Sequence, residues 1–366
     1  MRHRLLAAAA SVTLILVGCG TDERHRGAQR PQQSPAVTPS PQPATLPQIE
    51  LRADLSERPA PWRLVTSIPF GARAEELGYF FNRERGSLPL LPRSFAVADD
   101  ESFWILDGVK KRVARFSRTG DFIEEVSGFK LDRLSPRPKD VAVLKDRVYV
   151  VEEEFARATL TTIGPERRRV PEAVKDGSHP VALSLLLPSV GRLIARIGGY
   201  ADPPGTGPIG YGELPLRGRL RLLPGVPVGE GTWVDIRAPG DQDLEFTSTR
   251  GAMQAVQPIH VSVFGGKPPK ELPALVGPAI EATFHNAVGI YVRVAPARPS
   301  HAERFGGGAW YLRLGVDRSP LVWERLPEPK VSVEEQVRHL ASGPDGRVYL
   351  MVPDEEGVKI YVRRER

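Results

Sequence analysis

The feature that most restricts this chain is a rhythm of short apolar strands cut by Asp- and Gly-containing turns. Ser94-Phe95-Ala96-Val97 alternates and runs into Asp99-Asp100. Phe103-Trp104-Ile105-Leu106 runs into Asp107-Gly108, Val113-Ala114-Arg115-Phe116 into Thr119-Gly120, and Phe122 to Val126 completes the set. Side chains alternating with period two, joined by tight polar turns, predict a four-stranded antiparallel meander. Asp140 to Leu144, Arg147 to Val151 and Thr159 to Ile163 repeat the design, with Lys145-Asp146 and Gly164-Pro165 as turns. Near the C-terminus His339 to Ser342, Arg347 to Val352 and Val358 to Val362 repeat it again around Pro344-Asp345-Gly346.

A four-stranded sheet with two apolar faces cannot bury itself, and a period of about 40–50 residues is that of radially stacked blades. The expected fold is therefore all-β: a six-bladed β-propeller of four-stranded antiparallel blades. The run from Ile105 to Phe116 resembles the NHL-type six-bladed propellers, with Asp107 and Arg112 at that family's Asp and Arg positions and Lys110-Lys111 replacing its usual Asn-His. The resemblance covers roughly residues 60–170 and 335–366. Asp107 and Arg112 read as a structural blade pair, an ion pair or turn hydrogen bonds, since turn carboxylates commonly bond nearby backbone groups.

The middle of the chain is assigned by strand pattern. Val181 to Leu187 and Leu193 to Ile197 open a third unit. Trp233 to Ile236, Leu244 to Thr247, Ile259 to Phe264 and Leu272 to Val276 form a fourth. Ala282 to Phe284, Ile290 to Val294, Trp310 to Leu314 and Leu321 to Trp323 form a fifth. The Gly- and Pro-rich residues 198–230 read as a long loop. The C-terminal unit shows three strands, and Trp62 to Ile68 is expected to supply its fourth, pairing the two chain ends and removing an open edge.

The N-terminus has a different character. Arg2 and Arg4 precede a thirteen-residue apolar run, Leu5 to Val17. That is short of the roughly 20 residues a spanning helix needs, and suits a cleaved signal peptide. Leu16-Val17-Gly18-Cys19 resembles the lipobox of bacterial lipoproteins, and Cys19 is the chain's only cysteine. The resemblance implies a diacylglycerol thioether and an N-acyl group at Cys19, no other cofactor, and attachment to the extracytoplasmic face of a bacterial cell membrane. Residues 1–18 are then signal peptide, 19–49 lipidated Cys and a disordered Pro-rich linker, and 50–366 the propeller.

With one cysteine, disulfides and thiolate metal clusters within a chain are excluded. The formal charge of +6 includes Arg2 and Arg4, and no dense basic stripe interleaved with aromatics occurs, so nucleic acid is not an expected partner. There is no Gly-x-Ser-x-Gly elbow and no phosphate loop. Glu152-Glu153-Glu154 reads as a solvated loop. Trp104, Trp233, Trp310 and Trp323 read as blade packing. His179, His285 and His339 lie near predicted channel-lining strands and form the one metal constellation the sequence suggests. The expected function is a binding or scaffold module for a protein, peptide or envelope component. The alternative is a metal-dependent propeller hydrolase or lyase with its site in the channel.

Overall fold

The computed structural model describes residues 42–80, 90–129, 137–154, 157–176, 179–180, 182–197, 210–214, 220–265, 273–296, 308–317, 322–327 and 338–363. Among them no helix occurs, and the strands form six four-stranded antiparallel blades, one of them extended by two further strands, and a separate two-stranded ladder of Lys175–Asp176 with His179–Pro180. Blade 1 is Ser94–Val97, Phe103–Asp107, Arg112–Phe116 and Phe122–Ser127. Blade 2 is Arg137–Leu144, Arg147–Glu154, Arg157–Ile163 and Arg169–Ala173. Blade 3 is Leu183–Ser189, Arg192–Ile197, Gly210–Glu213 and Arg221–Leu223. Blade 4 is Val226–Gly229, Thr232–Arg237, Asp243–Arg250 and Met253–Phe264. Blade 5 is Pro273–Phe284, Ala287–Pro296, Gly308–Gly315 and Val322–Arg325. Blade 6 is Leu340–Ser342, Val348–Pro353, Gly357–Arg363 and, from the other end of the chain, Arg63–Pro69.

Period-two alternation explains why the blades stack. In blade 1, Phe95, Phe103, Ile105, Ala114 and Phe116 pack on Tyr349, Met351, Val358 and Ile360 of blade 6. Their neighbours Ala96, Trp104, Leu106 and Val113 pack on Val141, Val143, Val148 and Val150 of blade 2. Each face thus belongs to a different interface, and equivalent clusters join the remaining blades. Each fully buried Phe, Ile or Leu stabilises this ring by roughly 1.5–3 kcal/mol.

Two features close the ring. Arg63–Pro69 pairs antiparallel with Gly357–Arg363, as the sequence pattern predicts. Ahead of it, Ala44–Thr45 and Ile49–Asp54 add in parallel to the outer strand of blade 4, Met253–Phe264. This strap then crosses the rim of blade 5. Arg325 Nη1 donates to the carbonyls of Leu55 (2.5 Å) and Glu57 (2.6 Å), and Trp323 Nε1 to that of Arg52 (2.8 Å). Among the described residues strand structure therefore begins at Ala44, inside the stretch expected to be linker, and Ile49–Asp54 buries Leu51 and Ala53 against blade 4.

The strand assignments in the middle of the chain shift. The expected loop at 198–230 contains two strands of blade 3 and the first strand of blade 4, and of the stretch from Leu272 to Val276 the described residues, Pro273 to Val276, belong to blade 5. Gly212 shows why the pattern misleads: a Cβ there would lie 2.5 Å from Leu220 Cδ1 and 2.7 Å from Ile197 Cδ1. A glycine marking close approach inside a strand has the composition of a loop. The acidic run is also corrected. Glu152 and Glu153 are buried in a strand; Thr161 Oγ1 donates to Glu152 (2.5 Å), and Lys139 pairs with Glu153.

Candidate functional site: the channel and its mouth

The first strands of blades 1, 2, 3, 5 and 6 contact one another around the axis, and that of blade 4 touches the first strand of blade 3. Two of them carry acids at irregularities in register. In blade 2 the register slips between Pro138 and Asp140, and in blade 5 between Ile280 and Ala282, around Glu281. An extra residue at a bulge re-aims side chains. Here it delivers two carboxylates to the interior.

Asp140 is fully buried and accepts from three other blades. Ser94 Oγ of blade 1 donates to Oδ1, and Leu186 N of blade 3 donates to Oδ2 at 2.6 Å. Arg338, just ahead of blade 6, donates through Nε to Oδ1 (3.1 Å) and through Nη2 to Oδ2 (2.6 Å), while also reaching the Leu186 carbonyl. Glu281 is equally well served: the N–H groups of His339 and Leu340 donate to Oε2, each at 2.7 Å, and His339 Nδ1 lies 3.2 Å from Oε1. The His339 ring stacks on Tyr291, centroids 3.8 Å apart and planes 2° from parallel. Buried charges persist only when paired and hydrogen-bonded. These two clusters meet that condition, and Glu281 and Arg338 form the floor of a throat.

From this floor a throat of about 150 Å³ opens toward the turns that join the first and second strands of the blades, here called the hairpin face. It shares Leu144, Pro188, Thr283 and Ser342 with a wider mouth of about 610 Å³. The mouth is walled by Val190 of blade 3, Phe284, His285 and Arg313 of blade 5, and Pro344 of blade 6. Arg313 Cζ lies 4.8 Å from the Phe284 ring centre, so one wall presents a cation held on an aromatic face. Between blades 4 and 5 on the same face lies a further open cavity of about 980 Å³, bordered by Gln42, Arg250, Met253 and His285.

The expected site residues are distributed as follows. Cys19 lies outside the described residues. His179 belongs to a two-residue strand with Pro180, and its side chain lies outside the described residues. His285 is in the exposed turn of blade 5, its Nε2 3.1 Å from Asn286 Nδ2, whereas His339 is at the channel floor. Among the described residues no group of three or more His, Cys, Asp or Glu is placed to hold a metal.

Arg112 Nε donates to Asp107 Oδ2 at 3.3 Å, both side chains being buried. The pair also has a tertiary task. Arg112 Nη1 donates to the Ala74 carbonyl (2.7 Å) and Nη2 to that of Glu76, while Gly78 N donates to Asp107 Oδ2 (2.9 Å). The blade 1 pair thus holds the chain that crosses over from blade 6. Asp140, Glu281, Arg338, Arg313 and Val190 were missed by sequence reasoning. The signal for the first was an Asp opening an otherwise apolar strand; for the others none is visible without the ring.

Six radially stacked, four-stranded antiparallel sheets around a central channel define a six-bladed β-propeller. No protein-family model matches the sequence, and no curated protein matches it significantly. Solved structures show distant similarity. A member of the DUF4221 family from Bacteroides vulgatus is 10% identical, with 83% of this chain and 98% of that one covered and a TM-score of 0.47. For a luciferin-regenerating enzyme the figures are 13%, 75%, 91% and 0.43. For a virginiamycin B lyase from Staphylococcus aureus they are 12%, 75%, 95% and 0.38.

Proposed function

We propose that this chain is an extracytoplasmic lipoprotein, anchored through acylated Cys19, whose propeller serves as a binding or scaffold module for an envelope component. The observation that carries the reading is the funnel of the hairpin face. At its floor Asp140 is paired with Arg338, and Glu281 accepts from the N–H groups of His339 and Leu340, which suits a receptacle rather than a reaction centre. The N-terminal segment supports the anchor: a basic start, a short apolar run and a lone cysteine at its end. Two or more acyl chains hold a protein on a membrane stably.

The anchor is tested with Cys19→Ser, which is expected to leave the membrane fraction and to mature differently. Unchanged partitioning and unchanged processing would end that part of the proposal. The binding role is tested by crosslinking in intact cells followed by mass spectrometry. A reproducible envelope adduct on the hairpin face supports it. Stoichiometric metal in the purified protein, with a hydrolytic or lyase activity lost on removing the metal, would replace it with the enzyme reading.

A further inference from the structure

We infer that the funnel takes a molecule with an apolar body and one anionic group, a carboxylate or a phosphate monoester. This rests on the binding reading above and supplies its ligand class.

Three observations carry it. The first is charge. Among the described residues lining the mouth none is acidic, while Arg313 and His285 stand on one wall. Lys145 joins them at the throat, where the acids are Glu281, already covered by three donors, and Asp99 on the exposed blade 1 turn. Within the mouth itself an anion therefore meets Arg313 and no carboxylate.

The second is the pairing of charge with apolar surface. Arg313 lies on Phe284, and Leu144, Pro188, Val228 and Pro344 complete the lining. A volume of about 610 Å³ falls within the range of small-molecule sites, roughly 300–1,000 Å³. The 150 Å³ throat suits one apolar branch or the end of a chain.

The third is backbone strain at the rim. Val190 and Gly191 form the two-residue turn of blade 3 with φ of 48° and 70°. Such a turn wants Asn or Gly, and a β-branched residue there is an outlier. Val190 is the one β-branched residue among the described side-chain-bearing residues of positive φ, and 55% of it is exposed. Strain of this kind collects at functional sites. With little of its surface packed against the protein, the isopropyl group gains its contact from an apolar ligand.

The ligand has two sources, a membrane lipid or a free amphiphile. Gln42 and Ala44 border the cavity beside the mouth. The full-length protein in nanodiscs of zwitterionic lipid is titrated calorimetrically with octyl phosphate, octanoate, octanol and octyltrimethylammonium. Both anions are expected to saturate at one per chain, at least tenfold tighter than the cation. Arg313→Gln and Val190→Gly are each expected to weaken them about tenfold. Lys145→Glu, on an exposed turn, tests the charge without touching the core. Nanodiscs containing anionic lipid compete with octyl phosphate if the source is the bilayer and leave its affinity unchanged if it is free. Equal affinity for anion and cation, or indifference to both Arg313→Gln and Lys145→Glu, overturns the inference. A photoreactive residue at position 344 separates the two readings in cells: a protein adduct without amphiphile binding overturns only the ligand class, and the absence of both overturns the binding role as well.

Discussion

Asp140 and Arg338 are 198 residues apart in sequence and form a two-point ion pair at the centre of the ring, with both side chains almost wholly buried. Ser94 and Leu186 add donors to the same carboxylate, so one acid ties together four of the six blades.

Removing one partner leaves the other charged and buried, at a cost of about 3–5 kcal/mol. Arg338→Met is therefore expected to lower the thermal midpoint by several degrees. The double variant Asp140→Leu with Arg338→Met should lose less than the single one. Calorimetric melting of the three proteins checks this, and an equal or larger loss in the double variant would contradict it.

Glu124 joins blades 1 and 2, accepting from Arg167 of blade 2 (Nε, 2.5 Å) and from Arg115 (Nη1, 2.8 Å). Burial alone would raise its pKa, but the hydrogen bonds and charges of Arg167 and Arg115 outweigh burial and hold it below the ordinary value. A carboxylate of depressed pKa contributes stability that is present above its unfolded pKa and lost as pH falls through the folded one. Glu124→Gln is expected to cost about 1 kcal/mol at neutral pH. The gap from the wild type should close once the medium is acid enough to protonate Glu124 in the folded protein. Thermal melts from pH 7 to pH 3 give the measurement.

The strap should be separable from the ring it covers. Leu51→Ala removes a buried anchor, with an expected loss of about 2–5 kcal/mol. Hydrogen exchange should accelerate first in Ile259 to Phe264, whose outer partner is the strap. Uniform acceleration across all blades would show that strap and ring unfold together.

Gly78 faces the Asp107–Arg112 socket, and a Cβ there would lie 2.6 Å from Val109 Cβ and 2.7 Å from Asp107 Oδ1. Gly78→Ala and Arg112→Lys are both expected to release the crossover at residues 71–80, visible as new cleavage there in limited proteolysis. Arg112→Lys keeps the charge but loses the planar fork that reaches the carbonyls of Ala74 and Glu76. An intact segment in Arg112→Lys would show that charge alone holds it.

Val190→Gly relieves a left-handed β-branched residue and is expected to raise stability by about 1–2 kcal/mol. Paired with weaker amphiphile binding, this is a trade of stability for function at one residue. A lower thermal midpoint would mean that the valine packs usefully in the free protein.

Period-two alternation and the Asp/Gly turns made blades 1, 2 and 6 readable, because strand and turn chemistry is local. The closing strand was legible for a similar reason: Trp62 to Ile68 alternates, and the C-terminal unit lacked a partner. The middle blades were blurred where Gly212 and Pro227 stand in strands, since a close approach leaves the same residues as a loop. Asp107 and Arg112 were legible as a pair but not as the socket for residues 71–80, which lie a crossover away.

What the sequence alone determined is the repeating unit, its two apolar faces and hence the need to stack. What only the tertiary structure decided is which distant side chains meet on the axis. Asp140, Glu281 and Arg338 acquire their partners from bulges and from ring closure, and Arg313 meets Phe284 only once the strands of blade 5 have paired. Local pattern encodes the strand, whereas the channel is made of contacts between residues whose spacing in the chain carries no period.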